Sequence, residues 1–140
     1  MQWDGEEGAG FTSGTPWLPL ADDYRMINVA AQGDASDSLL TFHRDLIALR
    51  RAAPALAVGS YRALPAMGDL LAYLRESAGQ RFLIVLNLGG QPDTFANEVL
   101  AAGGRVTLST HPDRQGEAIE VGVALDLRPD EGVLIALPTA

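Results

Sequence analysis

The sequence predicts a mainly β fold: a C-terminal antiparallel β-sandwich preceded by a loop and one helix. Three observations carry that expectation. After Pro54 the apolar residues recur with period two through most of the chain. Turn residues interrupt those runs every ~8–12 residues, the rhythm of a sandwich or barrel. Before Pro54 a single stretch, residues 36–53, repeats with helical period, and the residues ahead of it have no regular period. The change of period divides the chain into residues 1–54 and a β-domain of residues 55–140.

Residues 1–35 read as loop, because Gly and Pro punctuate them and Trp3, Phe11 and Trp17 fall between without alternation. The helix is "SDSLLTFHRDLIALRRAA". Ser36 is its expected N-cap, with Asp34 as the alternative, and Asp37 suits the positive end of the helix dipole. Pro54 stops it. Leu39, Leu40, Phe42, Leu46, Ile47 and Leu49 cover about half of the helical wheel and predict a buried face. His43 and Arg50 lie inside that arc, and a buried Arg50 would need charged or carbonyl partners.

The β-domain follows in order. "LLAYLR" (70–75) and "RFLIVLNL" (81–88) are joined by "ESAGQ", a hairpin signal. Phe82, Ile84, Leu86 and Leu88 are expected to share one face. "GRVTLS" (104–109) is the next strand. "AIEVGVALDL" (118–127) alternates strictly at Ile119, Val121, Val123, Leu125 and Leu127 and reads as one strand. "RPDEG" is a turn with Pro at its second position. Val133, Ile135 and Leu137 form the last strand.

Composition narrows the function classes. Of 140 residues, 47% are hydrophobic, enough for a real core. The net charge of −8, with no basic cluster beyond Arg50-Arg51, argues against nucleic acid and anionic lipid as partners. The absence of Cys excludes disulfide and thiol chemistry. His43 and His111 lie far apart in sequence, which speaks against a His-based metal site. No apolar run reaches the ~20 residues of a membrane-spanning helix.

The loop holds the candidate chemistry. Its carboxylates are Asp4, Glu6, Glu7, Asp22 and Asp23. Glycoside hydrolysis uses two carboxylates roughly 5–10 Å apart across a sugar, whereas neighbouring acids on a loop are ordinarily just solvated. Trp3 and Trp17 suit stacking on the apolar face of a sugar ring, or equally a loop core. His43 on an apolar stripe is ordinarily a satisfied packing residue. No nucleophile elbow, phosphate-binding loop or Cys/His metal spacing is present.

"MQWD", "AGFT", "PWLPL", "INVAAQ" and "FHRDLIALRRAAPAL" run in an order and spacing that resembles bacterial α-glucosidases. These include the oligo-1,6-glucosidases of the α-amylase superfamily, glycoside hydrolase family 13. The likeness continues through "GSYRAL", "LLAYLRE", "FLIVLNLGGQP" and "LRPDEGVLIAL" and covers nearly the whole chain. One departure is Ala30, where the family tends to carry Glu.

The resemblance implies that residues 1–54 are the loop and helix ending a (β/α)8 barrel, and that residues 55–140 are the C-terminal sandwich. Active sites of such barrels are built by the loops on that face. The resemblance also implies a parent enzyme with a retaining mechanism on α-1,4- or α-1,6-linked gluco-oligosaccharides, whose catalytic carboxylates lie on earlier barrel loops. None of them maps onto this chain, so no catalytic residue is assigned here and the chain alone is expected to be inactive. Gln2, Trp3 and Asp4 are the candidate substrate-binding residues, in the context of the complete enzyme only. No metal or cofactor is expected, and a cytoplasmic location is implied. A chain lacking the barrel would leave apolar surface in residues 1–53, for which pairing into a homodimer is the expected cover; a loop folded back over the helix is the competing outcome. Besides an independent hydrolase using the loop acids, the other function class is a stand-alone carbohydrate-binding or protein-interaction sandwich. It would need an exposed aromatic platform drawn from Tyr61, Tyr73, Phe82 and Phe95.

Overall fold

A computed structural model describes every residue of the chain except Ala78, Val123 and Ala140. By contact density it forms two compact units, Met1–Asp45 and Leu46–Ala140, the division falling inside the long helix rather than at Pro54.

The first unit is mostly loop. A 3₁₀ turn at Glu7–Gly10 and a short helix α1, Val29–Asp34, are its regular pieces before the long helix α2, Leu39–Ala52. α2 starts later than the sequence pattern predicts, and its cap is neither Ser36 nor Asp34. The Ser38 hydroxyl takes that place, accepting from the Thr41 amide at 3.1 Å and donating to the Gln32 carbonyl at 2.6 Å. A hydroxyl at 38 serves the first turn of α2 and an open carbonyl of α1 together, which one at 36 would not.

The expected buried face of α2 is corrected too. None of its residues is buried. Leu39 is 66% exposed and Ile47 is half exposed, while Phe42, Leu46 and Leu49 are half-buried. Arg50 is exposed, so it needs no buried partner. Periodicity records which face of a helix is apolar; the partner that covers it is a separate matter.

The second unit opens with α3, Pro54–Val58, an exception to the expected all-β character of residues 55–140. Pro54 ends α2 and then occupies the first turn of α3, where a missing N–H breaks no bond. Among the described residues eight strands follow: β1 Ser60–Leu64, β2 Leu70–Ser77, β3 Gln80–Asn87, β4 Asp93–Ala96, β5 Gly104–Ser109, β6 Ala118–Ile119, β7 Ala124–Leu127 and β8 Gly132–Leu137. Six form an antiparallel sheet in the order β1-β2-β3-β8-β5-β6, and β4 pairs with β7 in a second, two-stranded sheet. The β2–β3 hairpin has Ser77 opposite Gln80, with Gly79 in the left-handed region of its turn at φ 76°.

The central strands are buried on both faces, which is why they read as near-continuous apolar runs. Leu83 and Val85 of β3, with Val133, Ile135 and Leu137 of β8, face a core that includes Phe95, Leu125 and Leu127 of the small sheet. Phe82 and Ile84 point the other way and pack with Ala55 and Leu56 of α3, with Leu86 and Leu134 at the margin. Phe82, Ile84 and Leu86 therefore share a face as expected, but Leu88 lies beyond the strand and is exposed. α3 is held by more than packing. Arg75 of β2 donates to the Ala55 and Gly59 carbonyls at 3.2 and 3.0 Å, and Gln80 accepts from the Ala55 amide at 3.3 Å.

The single strand expected over residues 118–127 is two strands in different sheets. Ala118 and Ile119 pair with β5, and the stretch from Ala124 to Leu127 pairs with β4. Val121 in the crossing is largely exposed, and Val123 lies outside the described residues. Alternation survives a change of sheet because both segments keep their apolar side toward the common core.

Candidate functional site

The candidate site is the loop that carries Gln2, Trp3 and Asp4. Its shape is fixed by main-chain groups. The Trp3 amide donates to the Ala9 carbonyl at 2.9 Å, and the Ala9 amide donates to the Glu6 carbonyl at 2.9 Å, closing residues 3–9 into a ring of turns. Gly8, Ala9 and Gly10 all have positive φ, of 77°, 51° and 69°. Ala9 is buried in that left-handed conformation, which glycine adopts freely and alanine only at a cost. At Gly10 a Cβ would strike the Asp4 carboxylate, so the two residues are fitted to each other.

The other wall of the loop is the start of α1. Asn28 is 5% exposed. Its Oδ1 accepts from the Ala31 amide at 2.9 Å, and its Nδ2 donates to the Tyr24 and Arg25 carbonyls at 3.0 and 3.3 Å. The first amides of α1 have no partner within a helix. Val29 donates to the Gln2 carbonyl at 3.0 Å, and Ala30 to the Trp3 carbonyl at 2.9 Å. Ala30, the departure from the family pattern, thus contributes through its backbone while its side chain is exposed. Arg25 completes the frame, donating to the Gly5 carbonyl at 3.1 Å.

The side chains fare differently from one another. Trp3 is 51% exposed and Trp17 is 89% exposed, so neither ring forms a loop core. Gln2 lines a largely apolar cleft of about 310 Å³ with Ile27, Val29, Leu39 and His43, and a second of about 360 Å³ with Phe11, Trp17 and Leu18. The Asp4 carboxylate is half-buried and accepts from the Glu6 amide at 3.0 Å. Glu6, Glu7, Asp22 and Asp23 are exposed, as solvated acids on a loop are. His43 contacts the Leu39 carbonyl through Nδ1 at 2.9 Å and meets the Phe42 ring edge-on. Among the described residues, no cluster of three or more His, Asp or Glu could hold a metal ion.

Asn28 and Gly10 were not singled out by the sequence reading. Asn28 could have been: an Asn directly before a helical stretch is an N-cap signal. Gly10 had no such signal, because its partner Asp4 is brought to it by the turn.

The family described as Alpha amylase, catalytic domain, matches residues 1–59. The chain is 36% identical over 135 residues to the trehalose-6-phosphate hydrolase of Escherichia coli K12, covering 95% of this chain and 24% of that protein. It is 41% identical over 97 residues to the probable oligo-1,6-glucosidase 2 of Bacillus subtilis strain 168, covering 68% of this chain and 17% of that protein. Among solved structures it resembles the trehalulose synthase of Pseudomonas mesoacidophila MX-45 with a TM-score of 0.83 and 30% identity, over 97% of this chain and 24% of that one. The antiparallel unit matches the C-terminal β-domain of these enzymes, and the chain spans about a quarter of the length of the first of these relatives. On loop, helix and sandwich alike, the chain belongs to the α-amylase family, glycoside hydrolase family 13.

Proposed function

We propose that this chain is the C-terminal portion of a retaining α-glucosidase acting on α-1,4- or α-1,6-linked gluco-oligosaccharides. Residues 2–30 supply part of the wall of the glucose pocket, and the sandwich is structural. The observation that carries this reading is the identity of 36% sustained across 95% of the chain while only 24% of the relative is spanned. A family hydrolase places its two reacting carboxylates on either side of the scissile bond. Here Asp4 is engaged by the Glu6 amide, and Glu6 and Glu7 are exposed. A few ordered turns do not supply the roughly 10⁶-fold acceleration that separates an enzyme from solution chemistry. The chain by itself is therefore inactive, and the chemistry belongs to residues outside it. The cytoplasmic location follows from the same reading.

The β-domain supports a structural role over a binding module. Phe82 and Phe95 are buried and Tyr73 is half-buried, which leaves Tyr61 as its one well-exposed ring among the described residues. The test is incubation of the purified chain with p-nitrophenyl α-glucoside. No turnover above buffer is expected. Turnover that follows the protein through purification and disappears in Asp4→Asn or Glu7→Gln would overturn the reading.

A further inference from the structure

The three candidate contact residues are not equivalent. Gln2 and Trp3 are held by their backbones alone: Val29 and Ala30 bind their carbonyls, and Ala9 accepts from the Trp3 amide. Among the described residues, neither the Gln2 amide nor the Trp3 indole N–H has a hydrogen-bond partner in the protein. Both side chains are thus placed without being used. Asp4 is the reverse. One carboxylate oxygen accepts from the Glu6 amide at 3.0 Å, and the other lies over Gly10, where a Cβ would displace it and the φ of 69° already favours glycine.

We propose that Asp4 is a positioning residue that, with the buried Asn28, holds the Gln2–Trp3 backbone, so that the Gln2 amide and the Trp3 indole are the groups that meet a glucosyl unit. The proposal rests on the pocket-wall reading given above. Trp3 supplies the chemistry a sugar needs: a half-exposed flat ring for the C–H face of a pyranose and an N–H donor for a hydroxyl. Gln2 supplies a donor and an acceptor beside it. Asp4 supplies the geometry. Its Oδ1 caps Glu6, which sets the Glu6–Ala9 turn, which in turn accepts the Trp3 amide. Gly10 is part of the same device, since it makes room for the Asp4 carboxylate.

The distinction is testable because asparagine keeps the acceptor and removes the charge. Nitrogen–proton NMR spectra of the 140-residue chain are recorded while isomaltose is added to high millimolar concentration. The signal followed is the Trp3 indole N–H, with hydrogen exchange of the Glu6 amide as the structural control. Wild type and Asp4→Asn are expected to show the same indole shift and the same Glu6 protection. Asp4→Ala and Gly10→Ala are expected to lose Glu6 protection and most of the indole shift, while the β-domain amides keep their wild-type positions. If Asp4→Asn weakens the sugar response by about tenfold with Glu6 still protected, Asp4 is itself a ligand and the proposal falls. It falls equally if Asp4→Ala and Gly10→Ala keep the wild-type Glu6 protection, since Asp4 then positions nothing. Neither result touches the hydrolase reading, whose own failure is turnover by the chain alone.

Discussion

The Arg114 guanidinium donates to Glu131 Oε2 at 3.1 Å, with the Glu131 side chain fully shielded from solvent. The pair joins the two sheets. Arg114 also donates to the Asp126 carbonyl of β7 at 3.1 Å, and Glu131 leads directly into β8. Every remaining polar atom is used. Glu117 takes the other edge of the guanidinium at 2.7 and 3.3 Å, and Glu131 also accepts from the Arg128 amide at 2.7 Å and from Ser109 at 3.4 Å. The hydrogen bond that Arg114 donates to Glu117, helped by the charge of Glu131, raises the Arg114 pKa above its ordinary value.

A buried pair of this kind costs most when one half is removed, because the other charge is left without a partner. Arg114→Met should therefore lower stability by about 3–5 kcal/mol. The double variant Arg114→Met with Glu131→Leu should be less destabilised than Arg114→Met alone. Urea unfolding midpoints of the three proteins check this, and additive losses would count against it.

Asp113 and Arg128 form an exposed counterpart, with two parallel bonds of 2.9 and 2.5 Å. The Arg128 hydrogen bond holds the Asp113 carboxyl below its ordinary value of 3.8. A carboxyl with a folded-state pKa below its unfolded one stabilises the fold above the unfolded value, and loses that contribution as pH falls through the folded one. Stability should thus decline below about pH 4, and Asp113→Asn should make that decline shallower. Urea midpoints of the two proteins between neutral and acid pH provide the measurement. Because the pair is open to water, the expected difference is small.

The two kinds of apolar site in this chain should respond differently to truncation. Leu83→Ala removes a side chain with no exposure from the core between the sheets and should cost about 2–5 kcal/mol. Leu46→Ala acts on a half-buried residue of α2 and should cost about 1 kcal/mol or less. Denaturant midpoints decide. Equal losses would mean that α2 is covered in solution.

The exposed apolar residues of the first unit bear on association. Trp17, Met26, Leu39 and Ile27 present large apolar side chains to solvent. Monomers seldom leave an extended apolar patch uncovered, and two-fold pairing of identical patches is the simplest cover. Light scattering should show the mass of the 140-residue chain rising toward a dimer with concentration, through contacts in residues 1–53. A monomeric mass at high micromolar concentration would end this expectation.

Much of the architecture was legible as pattern. β5 runs from Gly104 to Ser109 where "GRVTLS" predicts it, and Val133, Ile135 and Leu137 are buried on one side of β8. These elements are local: a period of two with one apolar side determines a strand and its face without reference to its neighbours. The resemblance in "MQWD" and "INVAAQ" likewise sits in contiguous residues. What depends on distant partners was decided by the tertiary structure. The alternation of residues 118–127 is the same whether the segment is one strand or two, and only pairing with β5 and then β4 separates Ile119 from Ala124. The apolar arc of α2 is visible in sequence, but burial is a property of two surfaces, and Leu39 remains exposed. Arg114 and Glu131 lie 17 residues apart with no shared motif. Asp4 reads as a loop acid until the left-handed turn at Ala9 brings Gly10 beneath its carboxylate. The sequence by itself determined the family, the long helix and most of the strands; the fold decided the short helices, the break between β6 and β7, and which side chains are engaged or left free, because these depend on what the chain brings back to them.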